Sequence, residues 1–131
     1  MSQHIRGIAI VVPDYDSAIA FYCGVLGFDL VADEDQGAGK RWVLVRPPGA
    51  TETHLLLAKA TSPAQLEAIG NQTGGRVFLF LHTDQFETDY ADMRAAGVTF
   101  EETPRYEDYG AVAVFQDPFG NRWDLLQLNS K

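Results

Sequence analysis

Cysteine is almost absent from this chain. Cys23 stands alone in 131 residues, so no intrachain disulfide can staple the fold. It sits among the apolar residues of an expected helix and reads as packing rather than as a nucleophile. Positive charge is also scarce. Ten Lys and Arg against 18 Asp and Glu leave a formal net charge of −8. Phosphate backbones call for a basic face, so the expectation is no nucleic-acid partner; an acidic surface that keeps the chain soluble accounts for the charge. No apolar run reaches the roughly 18 residues a membrane helix needs, and the first residues carry no secretory pattern. The expectation is a cytoplasmic protein with no membrane partner. Also missing are a Gly-rich phosphate loop, a Ser-His-Asp order and a Cys-rich metal spacing. Nucleophilic catalysis therefore has no support.

What remains is an ordinary globular composition, 46% hydrophobic. The length suits one domain or two intimate half-domains with a real core. The most informative stretch lies near the end: Asp117-Pro118-Phe119-Gly120-Asn121-Arg122-Trp123-Asp124. Pro sets φ, Gly allows positive φ, and Asp and Asn bond their own backbone, so this is a tight turn. The run Arg122 to Leu128 then reads as a strand that carries Asp124 at a set position on a sheet. Seventy positions earlier stands His54. The same offset takes Pro118 to Pro48, Leu125-Leu126 to Leu55-Leu56, and Gly97-Val98 to Gly27-Phe28. With one residue of slippage, Phe86, Tyr90 and Met93 fall on Tyr15, Ile19 and Tyr22. The chain is an internal duplication.

Each half reads as strand, helix, then three strands. In the first half, Ile5 to Val12 is a nearly continuous apolar strand, expected to be covered on both faces. Asp14 or Asp16 caps a helix from Ser17 to Leu26, which Gly27 stops. Strands follow over Phe28 to Asp33, Arg41 to Arg46 and Thr53 to Leu57. Ser62 and Pro63 open a short linker helix from Thr61 to Gly70. In the second half, a strand from Val77 to His82 leads to a helix from Gln85 to Ala96. Val98 to Glu101, Ala111 to Gln116 and Arg122 to Leu128 are the remaining strands. The loop Arg105 to Gly110 reads equally as a lid or as a solvated hairpin.

This plan resembles the vicinal oxygen chelate superfamily, the glyoxalase, bleomycin-resistance protein and extradiol dioxygenase group. The matching stretches are Ile19-Ala20-Phe21-Tyr22 through Leu26-Gly27-Phe28, Arg94-Ala95-Ala96-Gly97-Val98, and the Asp117 to Asp124 run. The likeness spans nearly the whole chain and is least constrained over Thr61 to Gly75. It implies an α+β fold of two tandem βαβββ modules, building cupped mixed sheets with helices on the outer face. The expected layout is a single domain over 1–131, with module one about 1–60, a linker about 61–75 and module two about 76–131. The superfamily hosts many reactions as well as binders, so the reaction does not follow from the fold.

The resemblance also implies where a metal would sit. The superfamily's ligand positions fall here at Gly7, His54, Phe78 and Asp124. Its metal-dependent members place His or Gln, Glu, His or Gln, and Glu at these four places. Only His54 and Asp124 can coordinate in this chain, and three protein ligands is the usual minimum for a catalytic ion. A divalent metal is the candidate cofactor, with His54 and Asp124 as candidate metal and catalytic residues and His4 or His82 as a third donor. The alternative for Asp124 is an ion pair with Arg122 or Arg41.

Strand alternation supplies the remaining candidates for a ligand pocket: Gly7, Ala9, His54, Phe78, Phe80, His82, Arg122 and Asp124. They describe a mostly apolar concavity with an aromatic wall and a few polar groups, unless Phe78 and Phe80 simply fill the space. The functional expectation is a protein acting on a small organic molecule. It is either a metal-dependent lyase or dioxygenase, or a metal-free protein that sequesters a drug-like or metabolite ligand. A homodimer is expected as well, because one cupped sheet is too small to close a pocket and an open sheet edge invites association.

Overall fold

The computed structural model describes residues 1–130. The chain forms two compact units, Met1–Ile69 and the remainder from Gly70. Each is built on a mixed sheet with a helix on one face, an α+β arrangement that repeats once along the chain.

In the first unit, β1 (Gly7–Val12) pairs in parallel with β4 (His54–Lys59), which is antiparallel to β3 (Arg41–Arg46); β2 (Asp29–Asp35) closes the order β1-β4-β3-β2. Asp14 caps α1 (Tyr15–Ile19), accepting from the Ser17 amide at 2.7 Å. The helix then widens into a π-helical turn, Ala20–Val25, where the expected single α-helix would have run on to Leu26. Side chains of alternate strand positions point to one face. Ile10, Val12, Val43, Val45, Leu55 and Leu57 make a dry layer with Ala18, Tyr22 and Phe28. The other face of β1 is partly open, since Gly7 and Ala9 are exposed. The expectation of a strand covered on both faces is thus corrected: its unbroken apolar run comes from small residues on an open face.

After α2 (Pro63–Ala68), capped by Ser62, the plan recurs. The second sheet has the order β5-β9-β8-β6, from β5 (Leu79–His82), β9 (Arg122–Leu128), β8 (Gly110–Gln116) and β6 (Thr99–Phe100). Helix α3 (Phe86–Ala95) covers β9. The core is an aromatic chain in which Phe86, Tyr90, Phe100, Phe115 and Trp123 meet in succession at centroid distances of 4.6–6.1 Å. The Arg105 to Gly110 loop is a hairpin, because β7 (Arg105–Glu107) pairs antiparallel with β8. Gly110 starts that return at φ 148°, where an added Cβ would run into the backbone of Gln127 and Leu128.

β6 is only two residues long, so β8 lacks part of a partner. The Glu102 side chain stands in for it: its carboxylate accepts from the Val114 amide at 2.9 Å and is itself gripped by Arg105 at 2.8 Å. The turn before β9 is tied by one buried carboxylate. Asp117 accepts from the amides of Phe119 and Asn121, from Asn121 Nδ2, and from Trp123 Nε1, at 2.9–3.2 Å. That hub is what starts β9 at Arg122 and sets the register that places Asp124.

Candidate functional site on the open sheet faces

In the first unit the register sets Gly7 beside His54 on the open face, and Ala9 beside Leu56. Leu44 pairs with Leu56 and Val45 with Leu55, so the next antiparallel step brings Arg46 alongside His54. His54 is only 6% exposed, and its Nδ1 has no hydrogen-bond partner. A Cβ added at Gly7 would lie 3.3 Å from that nitrogen. Burial, then the Arg6 and Arg46 charges, hold the imidazole below the ordinary histidine pKa. Further along the same sheet, Val11, Trp42, Leu56 and Ala58 line a cavity of about 510 Å³.

In the second unit β5 and β9 run parallel, with Phe80 opposite Asp124 and His82 opposite Leu126. Phe78 precedes β5, and its amide continues the ladder by donating to the Arg122 carbonyl at 2.8 Å. Arg122, Asp124 and Leu126 share the face that alternates with the buried Trp123 and Leu125. Phe80 is 66% exposed on that face, far more than an apolar side chain of its size needs to be. Asp124 is partly buried and makes no side-chain hydrogen bond or ion pair among the described residues. Desolvation raises its pKa; the Arg105 charge opposes this, Glu102 adds to it, and Arg122 opposes it.

The alternative in which Asp124 is locked to Arg122 or Arg41 is therefore corrected. Arg122 grips Glu101 through Nε and Nη2, both at 2.8 Å. Arg41 holds Asp33 and Asp16, each at 2.8 Å. The sequence offered no means of choosing, because Glu101 and Asp33 are matched to their arginines by strand register rather than by spacing.

The donors present do not fit a closed metal site. Gly7 and Phe78 bring no ligand atom, and His4 is exposed ahead of β1. His82 Nε2 accepts from the Leu128 amide at 3.2 Å, which occupies that nitrogen. Among the described residues no three His, Cys, Asp or Glu side chains gather closely enough to hold an ion. Sequence reasoning passed over Trp42, Arg46 and Glu102. The parity of β3 places Trp42, Leu44 and Arg46 on one face, a signal that was readable; the role of Glu102 depends on the shortness of β6 and was not.

The family model described as the Glyoxalase/Bleomycin resistance protein/Dioxygenase superfamily matches residues 4–125. An uncharacterized protein of Shewanella frigidimarina is 56% identical over 132 residues, covering 100% of this chain and 98% of that protein. YurT of Bacillus subtilis, also uncharacterized, is 34% identical over 91% of this chain and 94% of its own. Among solved structures, UcmS2 aligns with a TM-score of 0.83 at 31% identity, covering 96% of this chain and 98% of that one. TnmS3, an antibiotic binding protein from Streptomyces sp. CB03234, aligns with a TM-score of 0.74 at 33% identity, covering 98% of each chain.

Proposed function

The chain belongs to the Glyoxalase/Bleomycin resistance protein/Dioxygenase superfamily, and from that premise we propose that it binds a small aromatic organic molecule reversibly, without a metal, as a homodimer. The observation that carries this reading is the pairing of Phe80, 66% exposed, with Asp124, a partly buried carboxylate with no side-chain hydrogen bond or ion pair among the described residues. An exposed ring on a rigid strand supplies stacking area at little entropic cost. An unpaired carboxylate beside it anchors an ammonium or another hydrogen-bond donor. TnmS3, whose fold and a third of whose sequence this chain shares, is an antibiotic binding protein, and that supports the same class of role here. A metal-dependent lyase or dioxygenase built on His54 and Asp124 is the second reading. The buried, unpartnered nitrogen of His54 favours it; the missing donors at Gly7 and Phe78 place it second.

The test compares 2-naphthylmethylammonium with its neutral counterpart 2-naphthalenemethanol by calorimetric titration. A charge-assisted hydrogen bond is worth about 1.5–3 kcal/mol, which corresponds to about a tenfold to hundredfold change in affinity. Asp124→Asn should weaken the ammonium by that factor and leave the alcohol alone, whereas Phe80→Ala should weaken both. Equal binding of the two probes, or ammonium binding unchanged by Asp124→Asn, overturns the anchor.

A further inference from the structure

We infer that the first unit carries an oxyanion subsite, formed by Arg46 and His54 at the Gly7 end of its open sheet face, which takes the carboxylate of a small organic acid. The inference rests on the reading of the chain as a small-molecule binder. Three observations converge on it.

The first is the pattern of arginine partners. Arg41, Arg105 and Arg122 each hold one or two carboxylates. Arg46 makes no side-chain hydrogen bond or ion pair among the described residues, and neither does Arg6. In a chain with eight more negative than positive charges, carboxylates are plentiful, and the other three arginines that lie within strands, Arg41, Arg105 and Arg122, are all paired, so Arg46 stands apart from them. The second is burial. Arg46 Nε and His54 Nδ1 are both shut away from solvent without a partner, and His54 is 6% exposed. A buried donor left unmade is costly, and native proteins rarely tolerate one unless something fills the gap. The third is placement. The register pairs Gly7 with His54, and continuing the β3–β4 ladder one step beyond Val45–Leu55 brings Arg46 to the same row. At Gly7 no side chain crowds His54, where a Cβ would stand 3.3 Å from Nδ1. Arg6 adds positive potential, because its charge and that of Arg46 both act on the imidazole. The nearest carboxylate by register, Asp29 opposite Arg46, forms no ion pair with it.

A carboxylate satisfies this arrangement directly. One oxygen accepts from Arg46 Nε, the planar geometry that arginine offers best. The other accepts from His54 in its Nδ1–H tautomer. The superfamily resemblance places a metal-ligand position at His54; here the same spot is electropositive through its own side chains and suits an anion.

The experiment titrates 2-naphthoate and the neutral 2-naphthalenemethanol into the intact protein. Naphthoate should bind about tenfold to hundredfold more tightly than the alcohol. Arg46→Gln should abolish that preference without changing alcohol binding. Arg46→Lys, which keeps the charge but loses the planar fork, should restore only part of it. Arg94→Gln, a surface change over the Tyr90 ring, should leave it intact. On the unaltered protein, naphthoate should shift the His54 Nδ1 nitrogen resonance. The inference is overturned if naphthoate binds no better than the alcohol, if the preference survives Arg46→Gln, or if the His54 resonance does not move. Failure here with Asp124-dependent ammonium binding intact would remove the anion subsite alone; the reverse result would remove the Asp124 anchor and leave the subsite standing.

Discussion

His54 and Asp124 are poised in opposite senses. His54 is buried beside cations, so the folded state resists its protonation, while the unfolded chain takes the proton near the ordinary value of about 6.5. As pH falls through that value the unfolded state binds more protons than the folded one. Stability is therefore full above about pH 6.5 and declines below it, until the depressed folded-state pKa is passed. Urea denaturation at stepped pH should show this decline, and His54→Gln should flatten it; an unchanged slope in the variant would refute the assignment. Asp124 works the other way. Its raised pKa means that folding disfavours the charged form relative to the unfolded chain, a cost carried wherever the group is ionised. Asp124→Asn should thus cost no stability at neutral pH and bring a small gain, even as it weakens an ammonium ligand. Stability given up at a carboxylate that pairs with nothing is what a binding group looks like, whereas a structural ion pair would show the opposite sign.

At the scale of the element, the turn before β9 decides where Asp124 points. Four donors converge on the buried Asp117 carboxylate. Asp117→Asn keeps the shape but replaces one acceptor oxygen with an amide NH2, a donor facing donors. It should cost at least about 1.5–3 kcal/mol, the worth of a single hydrogen bond to a charged group, and thermal melting will show it. A variant that melts like the parent would mean the turn holds without its hub. The β2 edge is defended by charge and shape. Asp29, Asp33, Glu34 and Asp35 lie along it, and a bulge interrupts it between Leu30 and Ala32. Both features discourage edge-to-edge pairing there.

At the scale of the whole molecule, these features steer the proposed homodimer away from the β2 edge. The apolar groups left exposed outside the proposed site include Leu128, Tyr106 and Tyr109, a supply that a second copy would cover. Sedimentation at micromolar concentration should show a dimer; a species of 14.5 kDa alone would refute it. No helix of the described residues is long and apolar enough to cross a membrane.

The sequence by itself determined the repeat, the α+β class and nearly every element, because these follow from local rules. Period-two alternation marks strands, Ser62-Pro63 and the Asp14 or Asp16 pair mark helix starts, and Gly27 and Gly97 mark stops. It also placed His54 and Asp124, since a strand that begins at a legible turn has a countable face. Only the tertiary structure decided what those residues meet. Whether Arg122 reaches Asp124 or Glu101 depends on register between strands, which no spacing along the chain encodes. That Arg46 Nε and His54 Nδ1 are buried without partners is likewise a property of packing, because burial is settled by neighbours distant in sequence. The hairpin at Arg105 to Gly110 was undecidable for the same reason: its strand exists through pairing with β8, and nothing in Arg105-Tyr106-Glu107 requires it.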